Sequence, residues 1–339
     1  MIFLSLFVWN DEPDMHGLTK TSIGSTISGC EGLRNNMLTK PLPTIEGIGP
    51  SCMRLPHGPW KNILDYLEVR FPDVATLTWI SRMGKGMVVD EKGIPLHPES
   101  PYRIGAFVYY YRELEWENPI PFEESILFQD NHIVVADKPH FLPVVPSGQF
   151  LQETLLVRLK KRLKLENLVP IHRIDRETAG VVMFSHNPRT RGRYATLFHK
   201  HQIQKVYEAL APSLPRGLFP VTYRSRMVQG EPFFRMKEIE GAPNSETTID
   251  IIANMGDTTL YRLIPVTGRK HQIRVHCAAL GIPIINDKLY PVVKPSQTDD
   301  FSSPLQLLAR SVSFQDPLTG QHRYFQSRRL LSRALHSPG

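Results

Sequence analysis

The sequence predicts an α+β protein in which a large mixed domain follows a small α+β unit. Its 339 residues exceed what one small domain needs. Short apolar runs bounded by Gly, Pro or Asn alternate with segments of helical periodicity, which is typical of mixed folds. The proline-containing segment Glu117 to Phe122 indicates a linker. We therefore expect an irregular extension over residues 1–58, a small unit over residues 59–116 and the large domain over residues 117–339.

Periodicity also places the secondary-structure elements along the chain. In the small unit, helical spacing covers Ile63 to Phe71 and Leu77 to Met83, and the expected strands are Gly86 to Val89 and Ala106 to Tyr111. In the large domain we expect a hairpin (126–128 with 132–136), helices at 151–163 and 189–201, and strands at 181–184, 206–210 and 258–265.

The composition excludes several classes of protein. No apolar run approaches the roughly 20 residues that a membrane-spanning helix needs, which excludes an integral membrane protein. Three cysteines are too few for a disulfide framework or a four-thiolate metal site. The apolar start, Met1 to Trp9, lacks the basic stretch of a secretory signal, and Met37 is a second candidate start of translation. We expect the chain to be cytoplasmic.

The positive charge of the chain is concentrated in one segment. Residues 151–210 hold twelve Lys and Arg against five acidic residues, and this excess equals the net charge of +7 of the whole chain. Such clustering suits a polyanion such as nucleic acid. A solvated helix face explains the same pattern equally well.

Asp175 is the first candidate for chemistry. It lies between Arg173 and Arg176 in a loop that joins apolar segments. A cation within about 4 to 6 Å lowers the pKa of a carboxyl group by roughly 1 to 3 units, which would keep Asp175 ionised as a nucleophile or a base. A purely structural ion pair fits the same spacing.

A second candidate segment runs from Thr267 to Cys277. Thr267 is the expected N-cap of a helix whose inward face is Ile273, Cys277 and Leu280, with Gly281 ending it. In that helix Lys270 and Arg274 would lie four residues apart, where like charges repel unless an anion is near. A phosphate or a buried carboxylate would serve, and exposure of both cations to solvent is the alternative.

The sequence gives no support for a metal or a nucleotide cofactor. The histidine pairs His199 with His201 and His271 with His276 do not have the spacing of a zinc hydrolase, and residues 45–50 lack the Gly-Lys-Ser or Gly-Lys-Thr of a phosphate loop. Tyr207, on an expected strand, fits either a core residue or a ring that stacks on a nucleobase.

Taken together and in order, these segments resemble the RluA-type pseudouridine synthases, which isomerise uridine within structured RNA. His172-Arg173-Ile174-Asp175-Arg176 with Thr178 and Gly180 looks like the catalytic loop of that family. Lys205-Val206-Tyr207 looks like its Lys-x-Tyr strand, and Thr267-Gly268-Arg269 with the segment His271 to His276 looks like its third motif. Lys138-Pro139 resembles its first motif, and Asn286 stands where a glycine is usual.

The resemblance implies a role for each matching residue. Asp175 would be the catalytic aspartate, Tyr207 the ring stacked on the target uracil and Arg274 the cation paired with Asp175. Arg173 would fill the gap left by the flipped uridine, and Ile273 would form an apolar wall. The further residues expected to bind the substrate RNA are His172, Arg176, Arg269, His271 and Lys138.

The resemblance also implies a fold and a function. The catalytic domain would have a mixed, largely antiparallel sheet with flanking helices, and the small unit resembles an S-four-type RNA-binding module whose acidic and basic residues balance. The expected activity is isomerisation of uridines in ribosomal or transfer RNA, by a monomer, without metal or cofactor. A non-catalytic RNA-binding protein on the same scaffold is the alternative, and a metal-dependent hydrolase ranks below both.

Overall fold

The computed structural model describes residues 43–44, 47–112, 116–294 and 300–331, and they form two compact units that divide between residues 112 and 116. The division lies close to the expected boundary at residues 116 and 117. Most of the expected extension, including the candidate start at Met37, lies outside the described residues.

The smaller unit contains a three-stranded antiparallel sheet and two helices. Its elements are β1 (Ser51–Arg54), α1 (Ile63–Arg70), α2 (Thr76–Gly84), β2 (Val88–Asp90) and β3 (Phe107–Tyr110), with strand order β1-β3-β2. The Asn62 side chain caps α1 by accepting a hydrogen bond from the Asp65 backbone N–H at 2.8 Å. Both expected helices are present. Strand β1 lies before residue 58, in the expected extension, and pairs with β3. The likeness to an S-four module stays a prediction.

The larger unit contains one eleven-stranded sheet flanked by three helices. Its elements are β4 (Ser125–Gln129), β5 (Ile133–Lys138), α3 (Leu155–Leu163), β6 (Val169–Pro170), β7 (Ala179–Ser185), α4 (Arg191–His199), β8 (Ile203–Pro212), β9 (Val221–Gln229), β10 (Met236–Ile239), β11 (Ser245–Met255), β12 (Thr258–Pro265), α5 (Gln272–Ala279), β13 (Leu307–Gln315) and β14 (His322–Gln326). The main order is β10-β9-β11-β12-β8-β13-β7-β5-β4, and only the β7–β13 pair is parallel. The predicted mixed, largely antiparallel α+β fold is confirmed.

The only parallel pair of this sheet depends on Gly180. Its φ is +115°, and a Cβ atom built there would lie 2.1 Å from the Ala309 carbonyl oxygen. Only glycine allows β7 to approach β13 this closely. Because β7 begins four residues after Asp175, this contact fixes one end of the loop that carries the carboxylate.

Helix α5 begins later than the sequence predicts. Thr267 is not its N-cap, since the helix starts at Gln272 and His271 precedes it with a φ of +55°. The Thr267 hydroxyl instead accepts from the Glu246 N–H and donates to the Gln272 side chain. The expected inward face is present, because Ile273, Cys277 and Leu280 pack against the sheet.

Several strands gave no clear signal in the sequence. Strand β9 has the sequence VTYRSRMVQ and buries only Met227 fully, so neither of its faces is continuously apolar. Its pairing is decided by contacts with β10 and β11 rather than by its own pattern. Among the described residues, no helix has both the length and the apolar character needed to cross a membrane.

Candidate active site

Asp175 and Arg274 come together although 99 residues separate them in the chain. Arg274 Nη1 lies 3.3 Å from Asp175 Oδ2. Asp175 is in the loop before β7 and its side chain is 24% exposed, whereas the Arg274 side chain, on α5, is only 2% exposed. The arrangement places a partly accessible carboxylate over a buried cation.

Arg274 is held by a second carboxylate that sequence reasoning did not assign. Its Nε and Nη2 donate to the two oxygens of Asp287 at 2.8 and 2.7 Å. Such a two-point pair fixes the plane of the guanidinium. Asp287 Oδ1 also accepts from the backbone N–H groups of Leu289 and Tyr290. Lys270 lies before α5 begins, so the expected helical pair of Lys270 and Arg274 does not form.

The loop that carries Asp287 keeps the backbone shape that a glycine favours. Asn286 has a φ of +64°, in the left-handed region. Asparagine tolerates this region better than most residues. The departure from the usual glycine therefore leaves the loop able to present Asp287 to Arg274.

The surroundings of Asp175 favour its ionised form. Burial alone would raise the pKa of Asp175, but His271, Arg274 and Lys138 direct positive charge or polar N–H groups toward it, and the net pKa lies below its ordinary value. Burial opposes the charge of Arg274 as well, yet Asp287 and Asp175 raise the pKa of that guanidinium. Asp175 is therefore available as a nucleophile or a base at neutral pH.

His271 faces Asp175 rather than the solvent. Its Nε2 lies 3.9 Å from Asp175 Oδ2, and its side chain is only 9% exposed. The sequence-based assignment of His271 as an RNA-binding residue stays a prediction. Its Nδ1 lies 2.8 Å from the hydroxyl of Tyr290.

Lys138 is buried among backbone carbonyls, unlike the RNA-binding residue that the sequence suggested. Its side chain is fully buried, and its Nζ donates to the carbonyls of Pro139, Leu142 and Arg176 at 2.7 to 2.9 Å. Burial lowers the pKa of Lys138 to about 7. It cannot reach a phosphate and instead ties the Asp175 loop to the end of β5. His140 Nδ1 does the same by donating to the Glu177 carbonyl at 2.6 Å.

His172 and Arg176 also contact protein rather than an open surface. His172 Nε2 accepts from the Met183 N–H at 3.1 Å, and its ring stacks on Phe198. Burial lowers the pKa of His172 to about 3, so it carries no charge that could attract RNA. The Arg176 guanidinium lies over the Phe150 ring and donates to the Phe141 carbonyl. Both side chains shape the loop. The Arg176 side chain keeps 25% exposure, and RNA binding by these two residues stays a prediction.

Tyr207 and Ile273 belong to one apolar cluster at the site. Tyr207, on β8, is partly buried and packs against the cluster that includes Ile273 at the start of α5. Burial and the charge of Asp175 raise the pKa of Tyr207, so its hydroxyl stays protonated. The two side chains form an apolar surface suited to a flat ring. Arg173 and Arg269, the other predicted RNA contacts, are exposed.

Two residues of the third motif anchor it to the sheet. The Gln272 amide accepts from Thr267 and Arg269 and donates to the Glu246 carbonyl and the Thr247 hydroxyl. His276 contacts the hydroxyl groups of Thr247, Ser245 and Ser225. In the sequence, only their position inside the third motif pointed to Gln272 and His276. Single polar residues in a short, mostly apolar helix have no spacing that would predict such a role. Within the described ranges, no group of three or more His, Cys, Asp or Glu converges as a metal site.

The chain is similar in sequence and in structure to proteins of one family. Residues 132–279 match a family described as RNA pseudouridylate synthase. The chain is 32% identical over 221 residues to the dual-specificity RNA pseudouridine synthase RluA of Vibrio vulnificus, covering 60% of this chain and 82% of the relative. It is 29% identical over 233 residues to an uncharacterized RNA pseudouridine synthase of Synechocystis, covering 67% and 79%. The solved human RNA pseudouridylate synthase domain containing 4 matches with a TM-score of 0.50 and 25% identity, covering 62% of this chain and 90% of that one.

Proposed function

Because this chain belongs to the RluA-type family of RNA pseudouridine synthases, we propose that Asp175 is the residue with which it isomerises uridine in structured RNA. The chain is an isomerase that produces pseudouridine in RNA. The observation that supports Asp175 is its ion pair with Arg274, at 3.3 Å, between two motifs that lie far apart in the chain.

The reaction needs no other reactant. The bond from C1′ to N1 of the uridine breaks, the uracil turns, and a new bond forms from C1′ to C5. The hydrogen on C5 leaves as a proton, and N1 takes up a proton, so atoms and electrons balance. An ionised Asp175 can attack C1′ directly or remove a proton from the sugar to give a glycal. Both routes require the carboxylate and not the carboxylic acid.

The apolar surface beside Asp175 suits the base that has to turn. Tyr207 offers a ring face, and stacking of a base on an aromatic side chain contributes about 1 to 3 kcal/mol. Ile273 would close the other side of the same pocket. A uridine in a folded RNA must first leave its stack, which costs a few kcal/mol. Arg173, exposed on the Asp175 loop, would occupy the space that the uridine leaves.

Ribosomal or transfer RNA is the substrate class we propose, acted on by a monomer in the cytoplasm without metal or cofactor. The support is the family and the exposed cations near the two motifs. Arg173 and Arg269 are exposed. Arg173 lies two residues before Asp175, and Arg269 lies two residues before His271, whose Nε2 is 3.9 Å from Asp175 Oδ2. A folded RNA presents phosphates on several sides of a flipped nucleotide, which these cations can contact.

The decisive test is Asp175→Asn, which keeps the shape of the side chain but removes its charge. Unmodified transcripts of transfer and ribosomal RNA are made with tritium at C5 of uridine, and release of tritium to water reports the new bond at C5. We expect the wild-type protein to release tritium, and the Asp175→Asn protein to bind the same RNA with release below about 0.1% of the wild-type rate.

The matched control is Asp250→Asn, which also removes one side of an Asp–Arg pair. Asp250 on β11 pairs with Arg262 on β12 at 2.6 Å, on a solvent-exposed face of the sheet. Such exposed pairs contribute little to stability, about 0 to 1 kcal/mol, so this variant should keep the wild-type rate. Full activity in Asp175→Asn would overturn the proposal. Tight RNA binding without tritium release by the wild type would favour the non-catalytic alternative.

A further inference from the structure

Tyr290 connects His271 to the backbone of the β10 strand. The Tyr290 hydroxyl accepts a hydrogen bond from the Met236 N–H at 2.7 Å and lies 2.8 Å from His271 Nδ1. Tyr290 is 4% exposed, so its hydroxyl is shielded from water. The three groups form a short chain that ends at His271 Nε2, 3.9 Å from Asp175 Oδ2.

Hydrogen-bond accounting determines which nitrogen of His271 carries the proton. If Nδ1 carried it, the Tyr290 oxygen would accept twice and its own buried hydrogen would have no acceptor among the described contacts. The lone pair of Nε2 would also face the Asp175 carboxylate. With the proton on Nε2, Tyr290 donates to Nδ1 and the Nε2–H faces Asp175. Burial lowers the pKa of His271, which favours the neutral ring.

The two oxygens of Asp175 have different surroundings. Arg274 Nη1 and His271 Nε2 both approach Oδ2, at 3.3 and 3.9 Å. Among the described residues no hydrogen bond is found to Oδ1. The side chain is 24% exposed, so part of the carboxylate is accessible to a substrate. One oxygen is therefore anchored and the other is available for reaction.

Resting on the proposed function, we infer that His271 is a positioning residue for Asp175, as the neutral Nε2–H tautomer that Tyr290 imposes. Arg274 binds Oδ2 at 3.3 Å and the Nε2–H of His271 faces the same oxygen from 3.9 Å, which leaves Oδ1 to react with the uridine. Tyr290 acts through His271 and also lies beside Arg274, whose guanidinium is 5.4 Å from the centre of its ring.

The backbone supports this role for His271. Its φ of +55° is in a region that non-glycine residues rarely adopt, and such conformations are often found at functional sites. The conformation places the ring between Tyr290 and Asp175. The charged groups that act on His271 are Asp175, Arg274, Lys270 and Glu177, with two of each sign. Because two of these groups raise the pKa of His271 and two lower it, we infer that burial and the hydrogen bond with Tyr290 determine the protonation and tautomer of the ring.

The first experiment needs no RNA. Nitrogen NMR of the full chain, with the signal assigned by comparison with His271→Gln, reports which nitrogen is protonated. We expect the Nε2–H form in the wild type and an increased share of the Nδ1–H form in Tyr290→Phe. Carbon NMR of the Asp175 carboxyl should show a higher pKa in His271→Ala than in the wild type, because the polar N–H that faces the anion is lost. His271→Gln, whose amide can donate from a similar position, should restore it in part.

The second experiment measures tritium release from an RNA transcript on which the wild type is active. His271→Ala and Tyr290→Phe should each lower kcat about 10-fold with KM within about 2-fold, because the loss acts on the reacting group rather than on RNA binding. His271→Gln should recover most of the loss. Tyr324→Phe is the matched control, since Tyr324 is exposed on β14 and bonds only Gln326 among the described contacts.

His201→Ala is the control for effects on folding. His201 also has a positive φ, +53°, but it follows α4 and has no described contact with Asp175. The decrease in unfolding free energy of His201→Ala measures the backbone cost of placing alanine at a positive φ. His271→Ala has the same cost.

The outcomes distinguish this inference from the proposed function. An Nδ1–H wild type, or an Asp175 pKa unchanged in His271→Ala, overturns the inference even if RNA is modified. Unchanged kcat in both His271→Ala and Tyr290→Phe does so as well. Activity that survives Asp175→Asn overturns the proposed function instead.

Discussion

At the scale of single residues, the site depends on one guanidinium that joins two carboxylates. Arg274 contacts Asp287 through two nitrogens and Asp175 through a third. Lysine has one charged nitrogen and no planar fork, so it cannot make both contacts. Removing the cation altogether would leave a buried carboxylate unpaired, which is strongly destabilising.

Arg274→Lys should therefore lower kcat about 100-fold, since the electrostatic support of Asp175 is weakened. In the wild type the pKa of Asp175 lies below its ordinary value, so activity is lost only as the pH falls through that low pKa. In Arg274→Lys burial still raises the Asp175 pKa with less compensation, and the acid limb of the profile of kcat against pH should move to higher pH. Arg262→Lys, which alters an exposed ion pair, should leave kcat and the acid limb of the pH profile unchanged. An unaltered acid limb in Arg274→Lys would contradict the ion-pair argument.

At the scale of elements, two short contacts position the loop of Asp175. Lys138 ties its middle to β5 through the Arg176 carbonyl. Gly180 fixes its far end, because β7 and β13 approach closely only without a Cβ atom there. A buried lysine and a glycine of positive φ thus act on the same nine-residue stretch, from His172 to Gly180.

Gly180→Ala should lower the free energy of unfolding by about 2 to 5 kcal/mol, from left-handed strain together with overpacking. Gly320→Ala is the control, since Gly320 has a φ of +73° with nothing within 4 Å of the added Cβ atom. It should cost only about 1 kcal/mol, the backbone strain alone. Urea denaturation of both proteins measures the difference. Equal losses would show that the approach of β7 to β13 is not tight.

At the scale of the whole molecule, some of the basic residues in segment 151–210 are exposed to solvent and others are paired within the protein. Of the twelve basic residues in segment 151–210, seven are exposed: Lys161, Arg162, Lys164, Arg173, Arg189, Arg193 and Lys200. Arg158, by contrast, pairs with Glu153 and Glu124 and donates to two backbone carbonyls. The exposed residues fit both readings that the sequence left open, a polyanion-binding surface and a solvated helix face, whereas Arg158 fits neither.

RNA binding by this protein should weaken steeply with salt, because each phosphate contact releases counterions. Arg269→Gln should lower affinity for every RNA tested and reduce the slope of log K against log salt by about 1, as expected for one phosphate contact. Arg262→Gln, in its exposed pair with Asp250, should leave the slope unchanged. Filter binding at several salt concentrations gives the slope. Identical slopes for Arg269→Gln and the wild type would remove Arg269 from the RNA contacts.

The periodic elements and the motif residues could be predicted from the sequence. The hairpin of β4 and β5, the helices α3 and α4 and the inward face of α5 follow from local spacing. The pairing of Asp175 with Arg274 came from the resemblance to the family and not from spacing. Strands β9, β10, β13 and β14 could not be predicted so, because their pairing depends on partners elsewhere in the chain.

The sequence by itself determined the chemistry that we propose, since the residue types and their order resemble the motifs of the family and single out Asp175. Only the tertiary structure decided what each neighbouring residue does. Protein groups bind the side chains of Lys138, His172 and Arg176, and His271 faces Asp175. All four are polar residues, whose types alone suggest exposure to solvent. The physical reason is that burial and hydrogen-bond partners come from segments distant in the chain, as with Asp287 and Tyr290, and no local pattern encodes them.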